Sequence, residues 1–174
     1  LRVLNGSEIS TRAEDTNAHA VPYMIIGNGS NILVRDGGYR GVIVRIGNAF
    51  NYMKIDGERL VCGAGTLLSA IAKKAAKAAL SGFEFASGIP GSIGGAVFMN
   101  AGAYDGEIKD IIEEVHLISA DGTRDFIMKA DELKMGYRCS AIQQAGDIVT
   151  EVVLKLNRGD QEEIKEKMAD LAAK

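Results

Sequence analysis

Glycine is bunched along this chain rather than scattered: seven glycines fall between Gly82 and Gly106 and five between Gly27 and Gly41. Backbone of this kind takes positive φ at little cost and lets a bulky neighbour come close, so both stretches mark places where something approaches the main chain directly. The 21 glycines among 174 residues exceed the usual share of about 7%. Otherwise the chain is ordinary, and its 47% hydrophobic and 25% charged residues suit one domain with its own core. A net charge of -3 gives no positive field to recommend nucleic acid or an anionic membrane. No apolar run nears the roughly 18 residues of a spanning helix, and no signal pattern opens the chain, so a cytoplasmic protein is expected. Cys62 and Cys139 share no metal or redox spacing, and His19 and His116 add no cluster, so neither a disulfide nor a bound metal is expected. No obligate protein partner is evident.

Residues 1–20 are polar and without period, and are expected to be irregular. Short apolar runs bounded by glycine predict strands at Tyr23–Ile26 and at 42–46. Asp56-Gly57 predicts a hairpin joining 52–55 to 58–62, and Ala120-Asp121-Gly122-Thr123 a second joining 113–119 to 124–128; a further strand is predicted over 148–156. Between these, Leu67, Leu68, Ile71, Ala72, Ala75, Ala76, Ala79 and Leu80 recur at helical spacing, with Thr66 as the expected N-cap and Gly82 as the stop. Lys73, Lys74 and Lys77 then form a solvated face with no assigned function. A C-terminal helix opens at Asp160, with Glu163 as its capping partner and Ile164, Met168 and Leu171 as its stripe. Strands and helices mix into one α+β unit.

Gly27-Asn28-Gly29-Ser30-Asn31 follows a predicted strand, and its glycines let successive N–H groups converge on an anion. It is no dinucleotide fingerprint, because Ile32 stands at the third glycine and no helix follows; no Gly-Lys-Ser/Thr makes either cluster a P-loop. Gly88-Ile89-Pro90-Gly91-Ser92-Ile93-Gly94-Gly95-Ala96 reads as a helix start, with Pro90 in the first turn and no bulky side chain to keep a phosphate or flat ring away. A plain turn for the first loop, and a helix packed tightly on a neighbour for the second, are the structural alternatives. Two such nests in one chain favour a ligand with a pyrophosphate.

Four motifs in order, the two glycine clusters, Asn100-Ala101-Gly102-Ala103-Tyr104 and Tyr137-Arg138-Cys139-Ser140, resemble the UDP-N-acetylenolpyruvoylglucosamine reductase family, in its shorter-chain subtype. The resemblance implies an FAD-binding domain of the vanillyl-alcohol-oxidase type over 21–174, with mixed sheets and flanking helices. It implies that Gly27, Asn28, Gly29, Ser30 and Asn31 cradle the FAD pyrophosphate. Gly88, Ser92, Gly95, Asn100, Gly102, Ala103 and Tyr104 would line the FAD channel, with Val149 against the flavin. No histidine lies between Gly27 and Leu60, so the FAD is expected to be non-covalent.

The resemblance further implies that NADPH is the hydride donor and that UDP-N-acetylglucosamine enolpyruvate is reduced to UDP-N-acetylmuramate for peptidoglycan. Hydride addition to the alkene pushes charge toward the carboxylate, and Arg138 matches the family's catalytic arginine, whose guanidinium steadies that charge. Ser140 is expected to help position the loop, without a catalytic role. A C-terminal substrate-binding domain, which in the family brings a serine proton donor and a partner glutamate, is expected to lie beyond this sequence. Two other readings stand beside this one: an FAD-dependent oxidase of the same superfamily, and a module that binds FAD or another nucleotide without turnover.

Overall fold

The computed structural model describes residues 21–174, so the irregular segment expected over 1–20 lies outside the described residues. β1 (Tyr23–Ile26) and β2 (Val42–Arg45) pair in parallel as a small sheet of their own. β3 (Met53–Asp56) and β4 (Arg59–Gly63) form the hairpin predicted at Asp56-Gly57, with each strand one residue later than expected. Next come α1 (Leu68–Lys77), the short β5 (Leu80–Ser81), α2 (Ile93–Phe98) and the miniature hairpin of β6 (Gly102–Ala103) with β7 (Gly106–Glu107). β8 (Ile112–Ile118) and β9 (Asp125–Lys129) make the second predicted hairpin. Asp121 fixes its turn by accepting from Thr123 N–H at 3.0 Å and Thr123 Oγ1 at 2.8 Å. α3 (Ala141–Ala145), β10 (Ile148–Lys155), β11 (Asn157–Arg158) and α4 (Gln161–Ala172) complete the order.

The main sheet is antiparallel throughout, in the order β3-β4-β10-β8-β9. Side chains alternate across its faces. Leu60 and Cys62 of β4, Val152 and Leu154 of β10, and Val115 and Leu117 of β8 enter the core, while Glu114, His116 and Glu151 stay on the other face. Burial pushes the Cys62 thiol up to about 12, so it is an inert core residue. α2 packs on β10 and β4, and α1 packs on α4. Leu154 is fully buried at the centre, so Leu154→Ala should cost about 2–5 kcal/mol. Urea denaturation of the two forms measures this, and an unmoved midpoint would place the core elsewhere. Among the described residues no helix is long and apolar enough to cross a membrane.

Two helix boundaries differ from the sequence expectation. Leu67 takes the N-cap of α1, while Thr66 is fully buried and donates its hydroxyl to the Tyr52 carbonyl at 3.1 Å. A hydroxyl with no water within reach satisfies a fixed carbonyl first. α1 also ends before Gly82: Ala79 turns at φ 54, and β5 leaves to pair with β11. At α4 the expected cap is present, Asp160 accepting from Glu162 N–H at 2.8 Å and Glu163 N–H at 3.1 Å.

Candidate functional site

The two glycine clusters, far apart in sequence, meet in space. A Cβ added to Gly27 would lie 2.3 Å from Ser92 Oγ, so with any other residue here the Ser92 hydroxyl would have to turn away from the first loop. Ser30 Oγ donates to the Pro90 carbonyl at 2.7 Å and Asn31 Nδ2 to Met99 Sδ at 3.4 Å, tying that loop to both ends of α2. Asn28, Gly29, Ser30 and Asn31 are exposed, and Gly29 takes φ 74, as a backbone nest requires. Ser92, only 4% exposed, has the one buried side-chain polar atom among the described residues without a partner. Leaving such a group unsatisfied costs about 1–3 kcal/mol, which a ligand oxygen at that point would recover.

The helix start differs from the sequence expectation. Pro90 lies outside α2, whose N-cap is Ser92. Ile93 N–H donates to Thr66 O and Gly94 N–H to Ala64 O, both at 2.9 Å, so these first-turn donors are spent inside the protein. A Cβ on Gly94 would meet the Ala64 Cβ at 2.8 Å, which makes this glycine a packing residue. Gly95 is different: it is exposed, and its added Cβ would stand 3.8 Å from Ser92 Oγ, on the cradle side. Gly88 is exposed with open space about it. The groups left open here are those of the 27–31 loop, Ser92 and Gly95, not the first-turn donors of the six-residue α2.

At the other end of α2 a cleft of about 210 Å³ opens between Asn100, Gly102, Ala103, Tyr104, Glu107 and Arg138. The third and fourth sequence motifs therefore form one site. Pockets for whole ligands run roughly 300–1,000 Å³, so this one fits a ring edge or a carboxylate rather than a dinucleotide. Ser92 and Asn100 stand just before and just after α2, whose six residues rise about 9 Å, and an extended dinucleotide is long enough to touch both ends. Arg138 is exposed at φ 55, and its guanidinium has no ion pair among the described residues, leaving it open to an anionic group. Tyr104 donates its hydroxyl to the Leu171 carbonyl at 2.6 Å, and the Lys174 ammonium lies 5.6 Å from its ring centroid. Val149 stands apart from the cleft, buried on β10 opposite Leu117 beside a bulge.

Glu107 is a site residue that the motif reading passes over, since a single glutamate in a turn carries no distinguishing pattern. Hydrogen bonds from Lys109 and from Asn100, at 2.8 Å, hold its carboxyl below the ordinary 4.5. A depressed folded value means that its contribution is complete above pH 4.5 and is lost as pH falls through the folded value. Acid unfolding followed with Glu107→Gln should therefore show a shallower loss below that pH than wild type, and superimposable acid limbs would contradict the assignment.

The family described as an FAD binding domain matches residues 2–124. The chain belongs to the FAD-binding domain family. The chain is 47% identical over 155 residues to the UDP-N-acetylenolpyruvoylglucosamine reductase of Clostridioides difficile (strain 630), covering 89% of this chain and 51% of that protein. The reductase of Alkaliphilus oremlandii (strain OhILAs) is 48% identical over 152 residues, with 87% and 49% covered. The crystal structure of the Thermus caldophilus reductase superposes with TM-score 0.79 at 42% identity, over 88% of this chain and 55% of that one. A cholesterol oxidase from Brevibacterium sterolicum, at 16% identity and TM-score 0.60 over 80% of this chain and 30% of its own, shares the fold alone. The α+β fold is thus of the vanillyl-alcohol-oxidase type, and FAD is the cofactor of this FAD-binding domain. The chain spans about half the length of the reductases it matches.

Proposed function

We propose that this chain is the FAD-binding portion of a UDP-N-acetylenolpyruvoylglucosamine reductase, a cytoplasmic enzyme of peptidoglycan synthesis that uses NADPH. The observation that carries this is the placement of α2, with a buried hydroxyl against the glycine cradle at one end and an arginine at the other, neither paired among the described residues. Gly27, Asn28, Gly29, Ser30, Asn31, Ser92 and Gly95 hold the pyrophosphate; the channel continues past Gly88, Gly102, Ala103 and Tyr104, with Val149 behind it on β10. When bound, FAD supplies the redox carrier between NADPH and the UDP-sugar enolpyruvate. The cradle has no histidine, so FAD is held without a covalent bond and leaves on denaturation.

Arg138 carries the chain's own part of the chemistry. As hydride adds to the enolpyruvyl alkene, negative charge grows on the conjugated carboxylate, and a guanidinium facing that carboxylate stabilises the charge where it develops. The remaining half of the reductase supplies the substrate-binding domain and the proton donor. NADPH consumption by the full-length protein should depend on the UDP-sugar enolpyruvate. Consumption of oxygen with an alcohol and no NADPH preference would make it an oxidase, and retained flavin without turnover a binding module.

A further inference from the structure

We propose that Asn100 is the positioning residue for Arg138: its amide holds the turn that presents the guanidinium, a role that rests on the reading of Arg138 given above. The side chain is 2% exposed, and both N–H donors are spent inside the protein, one on Glu107 Oε2 at 2.8 Å and one on the Gly136 carbonyl at 2.9 Å. Its Oδ1 accepts from Lys109 N–H at 3.0 Å, so three contacts fix the amide plane. An asparagine occupied in this way offers a ligand no donor, although it stands at the cleft. Its own φ of 45 lies in the left-handed region, where asparagine is one of the few side chains that sit comfortably.

Gly136 is the base of the Arg138 turn. Gly136 N–H donates to Cys139 O at 3.1 Å and Cys139 N–H to Gly136 O at 3.3 Å, closing a four-residue loop with Arg138 inside it. Arg138 has φ 55, a conformation that persists in a non-glycine residue when its surroundings over-determine it. Asn100 supplies one tie, at the start of the loop. Ser140 Oγ supplies the other by donating to Phe98 O at 2.6 Å. Both ties run to the C-terminal end of α2, so the helix that begins at the cradle also sets where the arginine stands. Neither tie touches the guanidinium, and Asn100 therefore acts through the backbone of the turn.

Two variants separate positioning from folding. Asn100→Gly removes the amide and tolerates the φ; Asn100→Asp keeps the size and the acceptor to Lys109 N–H and removes the donors to Gly136 and Glu107. Amide hydrogen exchange on each should rise about tenfold or more over 136–139 and, apart from Lys109 N–H, which bonds Asn100 Oδ1, stay within about twofold elsewhere. Unchanged exchange over that turn, or protection lost evenly across the domain, overturns the proposal. In the full-length enzyme, Asn100→Gly should slow substrate reduction about 10- to 100-fold. Combined with Arg138→Ala, it should add nothing to the loss from Arg138→Ala alone. Losses that multiply show that Asn100 does not act through Arg138. If Arg138→Ala alone leaves substrate reduction intact, the functional reading fails, whereas the exchange result still decides whether Asn100 holds the turn.

Discussion

Arg138→Ala in the full-length protein is expected to slow reduction of the enolpyruvyl group by about 10²-fold or more while leaving FAD retention unchanged. The guanidinium has no ion pair among the described residues and opens onto the cleft, so its removal breaks no such pair and costs little stability. Its worth lies in the charge that develops on the substrate carboxylate, which a neutral side chain does not offset. Arg138→Lys tests the same point more finely. An ammonium keeps the charge and loses the planar fork, and should recover part of the rate. Equal turnover in wild type and Arg138→Ala would remove this residue from the chemistry.

Gly27→Val should abolish FAD retention, because its side chain would take the place of the Ser92 hydroxyl where the two loops meet. The added Cβ would lie 2.3 Å from Ser92 Oγ, and a branched side chain would force the first loop off α2. Separation breaks the Ser30 bond to Pro90 and withdraws the exposed 28–31 segment from the Ser92 hydroxyl. Gly29→Val acts by another route. Its Cβ would meet no protein atom within 4 Å, but φ 74 is a conformation that β-branched residues avoid. Flavin absorbance after removal of free FAD measures both variants, and wild-type retention in Gly27→Val would show that the loops do not form the cradle.

The hairpins were legible in the sequence because Asp56-Gly57 and the 120–123 turn carry their own local chemistry. α1 was legible because its apolar positions repeat at helical spacing. What escaped was decided by partners distant in sequence. α1 stops early because β5 pairs with β11, and Thr66 turns to Tyr52 rather than capping the helix. α3 has five residues, too few to show a period. At the site, the four motifs named the residues, but only the fold shows that the glycine clusters meet at Ser92 and that Asn100 and Ser140 staple the arginine turn to α2. Glycine marks where backbone is approached; it does not say by what.

A crystal structure of the full-length protein with FAD tests the central claim most directly. The expected result has the pyrophosphate against 27–31, Ser92 Oγ hydrogen-bonded to a cofactor oxygen, and the Arg138 cleft facing the redox-active ring. FAD seated away from this cradle, with the Ser92 hydroxyl still unpartnered, would contradict it.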